Sequence, residues 1–315
     1  MAKKNLSQWK NHIYMSYSFL KSGVIPDQLP PSSSSIPRKI WQTCKDKNSI
    51  KPDLLNCISQ LKEMNPNWKY TLFDDVSQYQ FIKSVGSNRF IKSYERIHPL
   101  FGAARADLFR YLIVFLHGGA YFDIKSGVIR PLDDILKKDD SFIISQWDNG
   151  PDGRFPGGGI KPPLTNIPGG EYEQWNLISS PGHPFLAAVI EQVMLNVENY
   201  NAVKFGHGSE GTLNVFGPNV FTLAIHPVLD HFPHRKIISW KEGIKYTMLE
   251  GVTHYKLDPL HYSRHQIAPV TSHGLQGWNK TRYWLAEFAI WPLSQLRSLN
   301  YRRLRSRQNK KFDRC

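Results

Sequence analysis

The stretch AARADLFRYLIVFLHGGAYFDIK, Ala103 to Lys125, decides the architecture. From Ala103 to His117 it contains neither Pro nor Gly. It sets Leu108, Leu112, Phe115 and Leu116 on one side of a 3.6-residue wheel, which predicts a helix. Gly118 and Gly119 stop that helix, and AYFDI enters a strand at once. A helix feeding straight into a strand is the repeating unit of α/β proteins. Asp107 and Arg110 lie three residues apart and share a face, roughly opposite the apolar stripe. That face has two readings: a surface ion pair, which is common and weak, or the wall of a ligand cleft. Asp123 closes the strand. At the carboxyl edge of a parallel sheet a carboxylate can meet a divalent cation, a ribose or a sugar hydroxyl, or it can simply cap a turn.

Outward from this unit the alternation continues. IPRKIWQT, Ile36 to Thr43, reads as a first buried strand, Pro52 to Met64 as a helix and Trp68 to Phe73 as a second strand. Further helices are expected at Pro184 to Val197 and around Val215 to Ala224. The sum is an α/β fold with a mainly parallel sheet. Asn149 to Gly170 holds seven Gly and five Pro in 22 residues, with no periodicity, and reads as a lid or binding loop. IPDQLPPSSSS, Ile25 to Ser35, reads as a linker behind a short N-terminal helical segment. The expected organisation is an N-terminal segment and linker over 1–35, a catalytic domain over 36–280 and a basic, aromatic tail over 281–315.

The composition narrows the classes. With 315 residues and 41% hydrophobic side chains the chain can build a sizeable core, which rules out disorder as a whole. Three cysteines, Cys44, Cys57 and Cys315, are too few and too scattered for a disulfide framework or a zinc site, and a reducing compartment is expected. The net charge of +14 would suit a polyanionic partner, but from Arg282 to Cys315 there are nine basic and two acidic residues. Half of the excess thus sits in the tail, which argues against a nucleic-acid-binding fold. The N-terminal stretch has no continuous apolar run, and no window approaches the ~20 apolar residues of a membrane span. A cytoplasmic protein is expected, held peripherally to the inner face of a membrane if the tail binds there.

The run AARADLFRYLIVFLHGGAYFDIK also resembles the signature of the glycosyltransferases with a DXD-type sugar-binding region. That group includes yeast and bacterial α-mannosyl-, glucosyl- and galactosyltransferases and is distantly similar to the clostridial glucosylating toxins. IPRKIWQT, NPNWKYTLFDD, WNLISSPGHPF, GPNVF and SHGLQGW resemble further family elements in the right order, from about Ile36 to Trp278. The resemblance implies the GT-A nucleotide-sugar-binding fold and a retaining hexosyltransferase acting on a cell-envelope or other surface glycan. The implied roles are nucleotide binding for Trp41, Gln42, Thr43 and Trp278, and donor-sugar binding for Asp107 and Arg110. Asp123 would be the first Asp of the DXD element. Asp123 and His273 would hold Mn²⁺ or Mg²⁺.

One position departs from the pattern, because Lys125 stands where the family has its second Asp. A carboxylate exchanged for an ammonium changes the local charge by two units. Either Asp123, His273 and the phosphates hold the metal, or Lys125 does part of the metal's work against the leaving diphosphate, which gives it a catalytic role beside Asp123. A third reading is a relative that binds sugar or nucleotide without turning it over. The expected partners are a nucleotide-sugar donor, a glycan or lipid-linked glycan acceptor and no nucleic acid. Trp284, Phe288, Trp291, Leu296 and Leu299 among arginines read as an interfacial anchor, so that residues 283–311 would meet an anionic membrane surface. The other reading is a solvated basic tail after a core helix.

Overall fold

The computed structural model describes residues 35–85, 88–249 and 265–290. The linker, the N-terminal segment and most of the tail lie outside them. The first strand, β1 (Lys39–Thr43), is buried from Ile40 onward, and β2 (Lys69–Phe73) pairs with it in parallel, Ile40 opposite Tyr70. Between them runs the helix α1 (Pro52–Met64), which starts with Pro at its first turn, where the missing N–H costs nothing. After β2 come α2 (Asp75–Val85) and α3 (Asn88–Glu95), and then α4 (Gly102–His117), the helix of the decisive stretch.

Gly118 and Gly119 turn α4 into β3 (Gly119–Phe122) with φ of 61° and 99°. A Cβ on Gly118 would stand 2.7 Å from both Pro181 and Pro37, and one on Gly119 would stand 2.5 Å from the Lys39 carbonyl oxygen. Only glycine permits both the dihedrals and the approach. β3 is thereby laid in parallel beside β1, with Ile40 opposite Ala120.

The remaining strands are the short β4 (Gly127–Val128), β5 (Phe142–Gln146), β6 (Asn176–Ser179), β7 (Arg235–Ile238) and β8 (Ile244–Lys245). A six-stranded sheet has the order β2-β1-β3-β6-β5-β7, while β4 and β8 pair separately. Within the six-stranded sheet only the pairings of β6, with β3 and with β5, are antiparallel. The expected mainly parallel α/β sheet flanked by helices is therefore what forms. Side chains alternate across it with period two. Trp41, Tyr121, Phe142, Ile144 and Leu177 enter one core, and Ile40, Ala120, Phe122, Ile143 and Ile178 the other.

The other helices are α5 (Leu132–Ile135), α6 (Pro184–Glu198), α7 (Ala202–Phe205), α8 (Gly208–Val215), α9 (Pro218–Ile225) and α10, described over 277–290. The helix expected around Val215 to Ala224 is thus displaced to α9, because Gly217 and Pro218 separate it from α8. α4 packs on β3, β6 and α6, so every residue from Asp107 to Phe115 is buried. Truncating Phe115 to Ala there would cost about 3–5 kcal/mol. Residues 149–170 contain neither helix nor strand, as their Gly and Pro content predicts.

Candidate active site

β1, β2 and β3 end together at one edge, and the carboxyl edge of a parallel sheet is where open α/β folds bind ligands. Asp123 follows β3 directly. Its backbone is fixed on both sides: its N–H donates to the Trp175 carbonyl at 2.8 Å, and its own carbonyl accepts from Gln42 Nε2 at 3.1 Å and from the Ser126 N–H at 2.8 Å. The side chain keeps 27% of its surface open. Asp123 Oδ1 accepts from Arg110 Nη2 at 3.1 Å and from the Tyr121 hydroxyl at 3.3 Å.

Arg110 is the centre of the cluster. Its Nη2 also reaches Asp107 Oδ1 at 2.9 Å, Nη1 donates to the Gln174 carbonyl at 2.7 Å, and Nε donates to the Ala106 carbonyl at 3.3 Å. The guanidinium lies 4.5 Å from the Tyr121 ring centroid. Asp107 Oδ1 further accepts from Gln174 Nε2 at 3.1 Å. The Arg110 and Asp107 side chains are only 4% and 6% exposed. This corrects the reading of a polar face turned away from the core. The two side chains are as buried as the leucines, because α4 has neighbours on all sides and Gln174, Tyr121 and Asp123 give the charges polar partners inside.

Burial pushes the Asp107 carboxyl up, to about 7, against the opposing pull of Arg110 and Gln174. Burial also works against the Arg110 charge, but Tyr121, Asp123 and Asp107 outweigh it and hold the guanidinium protonated. Gln42 and Thr43 close the floor: the Tyr70 hydroxyl donates to Gln42 Oε1 at 2.9 Å, and Thr43 Oγ1 lies 2.9 Å from the Tyr121 hydroxyl. Trp41 is placed elsewhere. Its indole packs on Phe73 and His117 and donates to the Gly118 carbonyl at 2.8 Å, at the end of β3 remote from Asp123.

Lys125 stands in the turn, two residues after Asp123, with its Nζ 3.9 Å from the Tyr246 ring centroid. Its carbonyl accepts from the Met248 N–H at 2.8 Å, and Ser126 Oγ donates to the Tyr246 carbonyl at 2.7 Å, so this turn is tied to the chain after β8. His273 lines a cavity of about 600 Å³ together with Asp75, Tyr79, Tyr94, Glu95 and Arg105; none of Asp107, Arg110 and Asp123 lines it. Trp278 stands 69% exposed on α10.

By themselves the residues present do not make a divalent-cation site. Among the described residues no group of three or more His, Cys, Asp and Glu is placed to hold one. The one carboxylate of the turn, Asp123, already shares an oxygen between Arg110 and Tyr121, and two residues on Lys125 offers an ammonium.

Sequence reasoning missed Gln174 and Glu173. Glu173 is 2% exposed and accepts from Ser239 Oγ and Asn176 Nδ2, each at 3.0 Å, while Ser145 Oγ donates to Asn176 Oδ1 at 2.7 Å. Burial pushes the Glu173 carboxyl up to about 8. Both residues precede β6, just before the WNLISS run, and nothing local to them signals a polar core partner.

Residues 52–142 match a family model described as the glycosyltransferase sugar-binding region containing DXD motif. The chain is 27% identical over 241 residues to the initiation-specific α-1,6-mannosyltransferase of Candida albicans, covering 66% of this chain and 60% of that protein. It is 32% identical over 123 residues to the mannosyl phosphorylinositol ceramide synthase of Saccharomyces cerevisiae, covering 38% of this chain and 30% of that one. The chain thus spans less than two thirds of the length of each of these relatives. Among solved structures it resembles the PaToxG glycosyltransferase, with a TM-score of 0.45 and 14% identity over 91% of this chain and 95% of that one. The matched segment holds Asp107, Arg110, Asp123 and Lys125, so the cluster lies in the part of the chain that is similar to the DXD-containing sugar-binding region of glycosyltransferases.

Proposed function

We propose that this chain is a retaining hexosyltransferase of the GT-A kind, moving a sugar from a nucleotide sugar to a hydroxyl of a glycan or lipid-linked glycan. The relatives' names favour mannose. The observation that carries the reading is the buried Asp107–Arg110–Asp123 cluster, which opens to the surface only at Asp123, beside Lys125.

In this reading the open oxygen of Asp123 accepts a hydroxyl of the donor. Arg110 holds that carboxylate in position, and Asp107 and Gln174 keep Arg110 in place. Lys125 pairs with the diphosphate as the sugar–oxygen bond breaks and the electron pair leaves with it. The acceptor hydroxyl arrives on the same face of the sugar and passes its proton to the departing phosphate oxygen. The retained stereochemistry is taken from the resemblance. Two carboxylates and two cations leave the site about neutral, so a dianionic leaving group can be held by Lys125 without a second acid to repel it.

The work belongs, in our reading, at the cytoplasmic surface of a membrane. The basic and aromatic residues from Trp278 onward support that placement. Among the described residues no helix is long and apolar enough to cross a membrane.

Hydrolysis of nucleotide sugars without acceptor tests the activity. UDP- and GDP-hexoses are incubated with wild type and Asp123→Asn, with release of free sugar expected only for the wild type. Lys125 favours one other reading, a relative that binds the donor without turnover. Donor binding with no hydrolysis and no transfer would select it.

A further inference from the structure

Beyond Lys125 the site continues into a row of aromatic side chains. Trp240 meets Phe155 edge-on at 5.9 Å, Phe155 meets Trp147 at 5.1 Å, Trp147 meets Tyr246 at 5.4 Å, and Tyr246 meets Trp175 at 5.4 Å. The row joins the donor cluster at two points, the Asp123 N–H bonded to the Trp175 carbonyl and the Lys125 ammonium on Tyr246. Except for Trp175 these rings are half-buried, so part of each face remains open. The 149–170 loop that supplies Phe155 is preformed. Asn149 Nδ2 donates to the Gly158 and Gly169 carbonyls at 2.7 and 2.9 Å, and the Phe155 N–H donates to the Asp148 carbonyl at 2.8 Å.

Two cations rest on the far end of this row. The Arg154 guanidinium lies 5.2 Å and the Lys245 ammonium 5.4 Å from the Trp240 ring centroid. Among the described residues neither has an ion-pair partner, whereas the acids around them are engaged. Asp148 pairs with Lys241 at 3.2 Å, Glu242 with Arg130, and Glu171 with Lys161 at 3.3 Å while accepting from Trp147 Nε1 at 2.6 Å. Only Asp152, exposed on the loop, is uncommitted. The surface therefore combines apolar ring faces, which suit the C–H faces of a sugar, with uncompensated positive charge, which suits an anion.

We infer that the row Trp240–Phe155–Trp147–Tyr246, with Arg154 and Lys245, is the acceptor subsite, and that it takes a saccharide carrying an anionic substituent. The inference rests on the donor reading of the Asp123 cluster, since it is the adjacency to that cluster that makes this surface an acceptor site. Lys125 belongs to the diphosphate, and Arg154 and Lys245 to the acceptor's charge. A carboxylate on a uronic acid and a phosphate ester on a sugar share the chemistry required.

The test is tryptophan fluorescence titration of the full chain with three probes: trigalacturonate, mannose 6-phosphate and neutral maltotriose. Each is run at about 50 mM and about 500 mM salt. Wild type, Arg154→Gln/Lys245→Gln and the charge reversal Lys245→Glu are compared. Calorimetry of nucleoside diphosphate binding runs alongside as an independent readout of the donor site.

At least one anionic probe should bind about tenfold or more tightly than maltotriose at low salt, and high salt should remove most of that advantage. Whether the carboxylate or the phosphate probe wins identifies the substituent. Both variants should lose the preference and keep nucleoside diphosphate binding. Equal affinity for neutral and anionic probes, or anionic binding undiminished in both variants, overturns the inference. If the anionic preference holds but nucleoside diphosphate does not bind, the donor reading fails, and with it the acceptor role of this surface.

Discussion

Lys125 can be replaced by Ala or by Asp, and the two changes ask the same question with different charge. Asp107, Arg110, Asp123 and Lys125 together carry about zero net charge; Lys125→Ala leaves the site at −1 and Lys125→Asp at −2. Two unit charges about 5 Å apart at an effective dielectric near 20 interact by about 3 kcal/mol. Lys125 is half-buried, and water and counterions reduce this to about 1.5–2 kcal/mol for one lost contact to a diphosphate. At about 1.4 kcal/mol per decade, Lys125→Ala should weaken nucleoside diphosphate binding by about ten- to thirtyfold. Lys125→Asp should weaken it by about a hundredfold or more. The assay is calorimetry of UDP and GDP in EDTA, repeated with Mn²⁺. Wild type should bind in EDTA, and Lys125→Asp should bind measurably only with Mn²⁺. The reasoning is refuted if wild-type protein shows no binding in EDTA, or if Lys125→Ala binds as tightly as wild type there; the ammonium is then only a partner for Tyr246.

Asp107→Ala leaves the buried Arg110 with one carboxylate fewer, so it should lower stability by about 3–5 kcal/mol and abolish donor hydrolysis. Denaturant titration beside the hydrolysis assay checks both, and wild-type values in both would return the pair to a dispensable role. Glu173, raised from 4.5 to about 8 by burial, binds its proton more tightly folded than unfolded. Stability should therefore fall as pH rises from about 4.5 to about 8, by up to about 1.4 kcal/mol per pH unit, with Asp107 adding in the same direction over its own range. Glu173→Gln should flatten that slope in melts taken across the range, and an unchanged slope would show the group ionised inside. On α10, Tyr283, Ala286 and Ile290 are buried and Glu287 pairs with His207 at 2.9 Å, which turns Trp278, Trp284, Leu285 and the 84% exposed Phe288 outward on a helix that also exposes Lys280 and Arg282. Sedimentation with vesicles should show binding to phosphatidylglycerol-rich but not neutral lipid, lost on deletion of Leu296 to Cys315 at about 1 kcal/mol per basic residue removed. Equal binding by the deletion variant would dispose of that role for the tail.

Local pattern carried the fold a long way. Pro52 to Met64 was legible as a helix from its leading proline and apolar spacing, and the helix-to-strand turn from Gly118–Gly119. AYFDI was legible as a strand entered directly from that turn. Asp123 was legible as an edge carboxylate because strand order alone puts the residue after β3 there. Period and turn chemistry are properties of neighbours in sequence, and they survive without knowledge of packing.

What the sequence could not decide was which way the polar residues face. The wheel put Asp107 and Arg110 opposite the leucines and therefore outside, but α4 is covered by sheet and α6 alike, so both faces are interior. Their partner Gln174 lies 67 residues from Asp107, and Glu173 finds Ser239 66 residues away. Whether a buried charge is tolerable depends on such distant hydrogen bonds, and Trp41, to which the family resemblance gave a nucleotide-binding role, packs in the core with its indole bonded to the Gly118 carbonyl. The aromatic row from Trp240 to Tyr246 likewise joins a loop, the end of β5 and the turn before β8. Residue types and spacing determined that a sheet would form and where its carboxyl edge would lie; only the tertiary structure, by bringing remote donors within about 3 Å of each charge, decided which charges could be buried and which stayed open to a ligand.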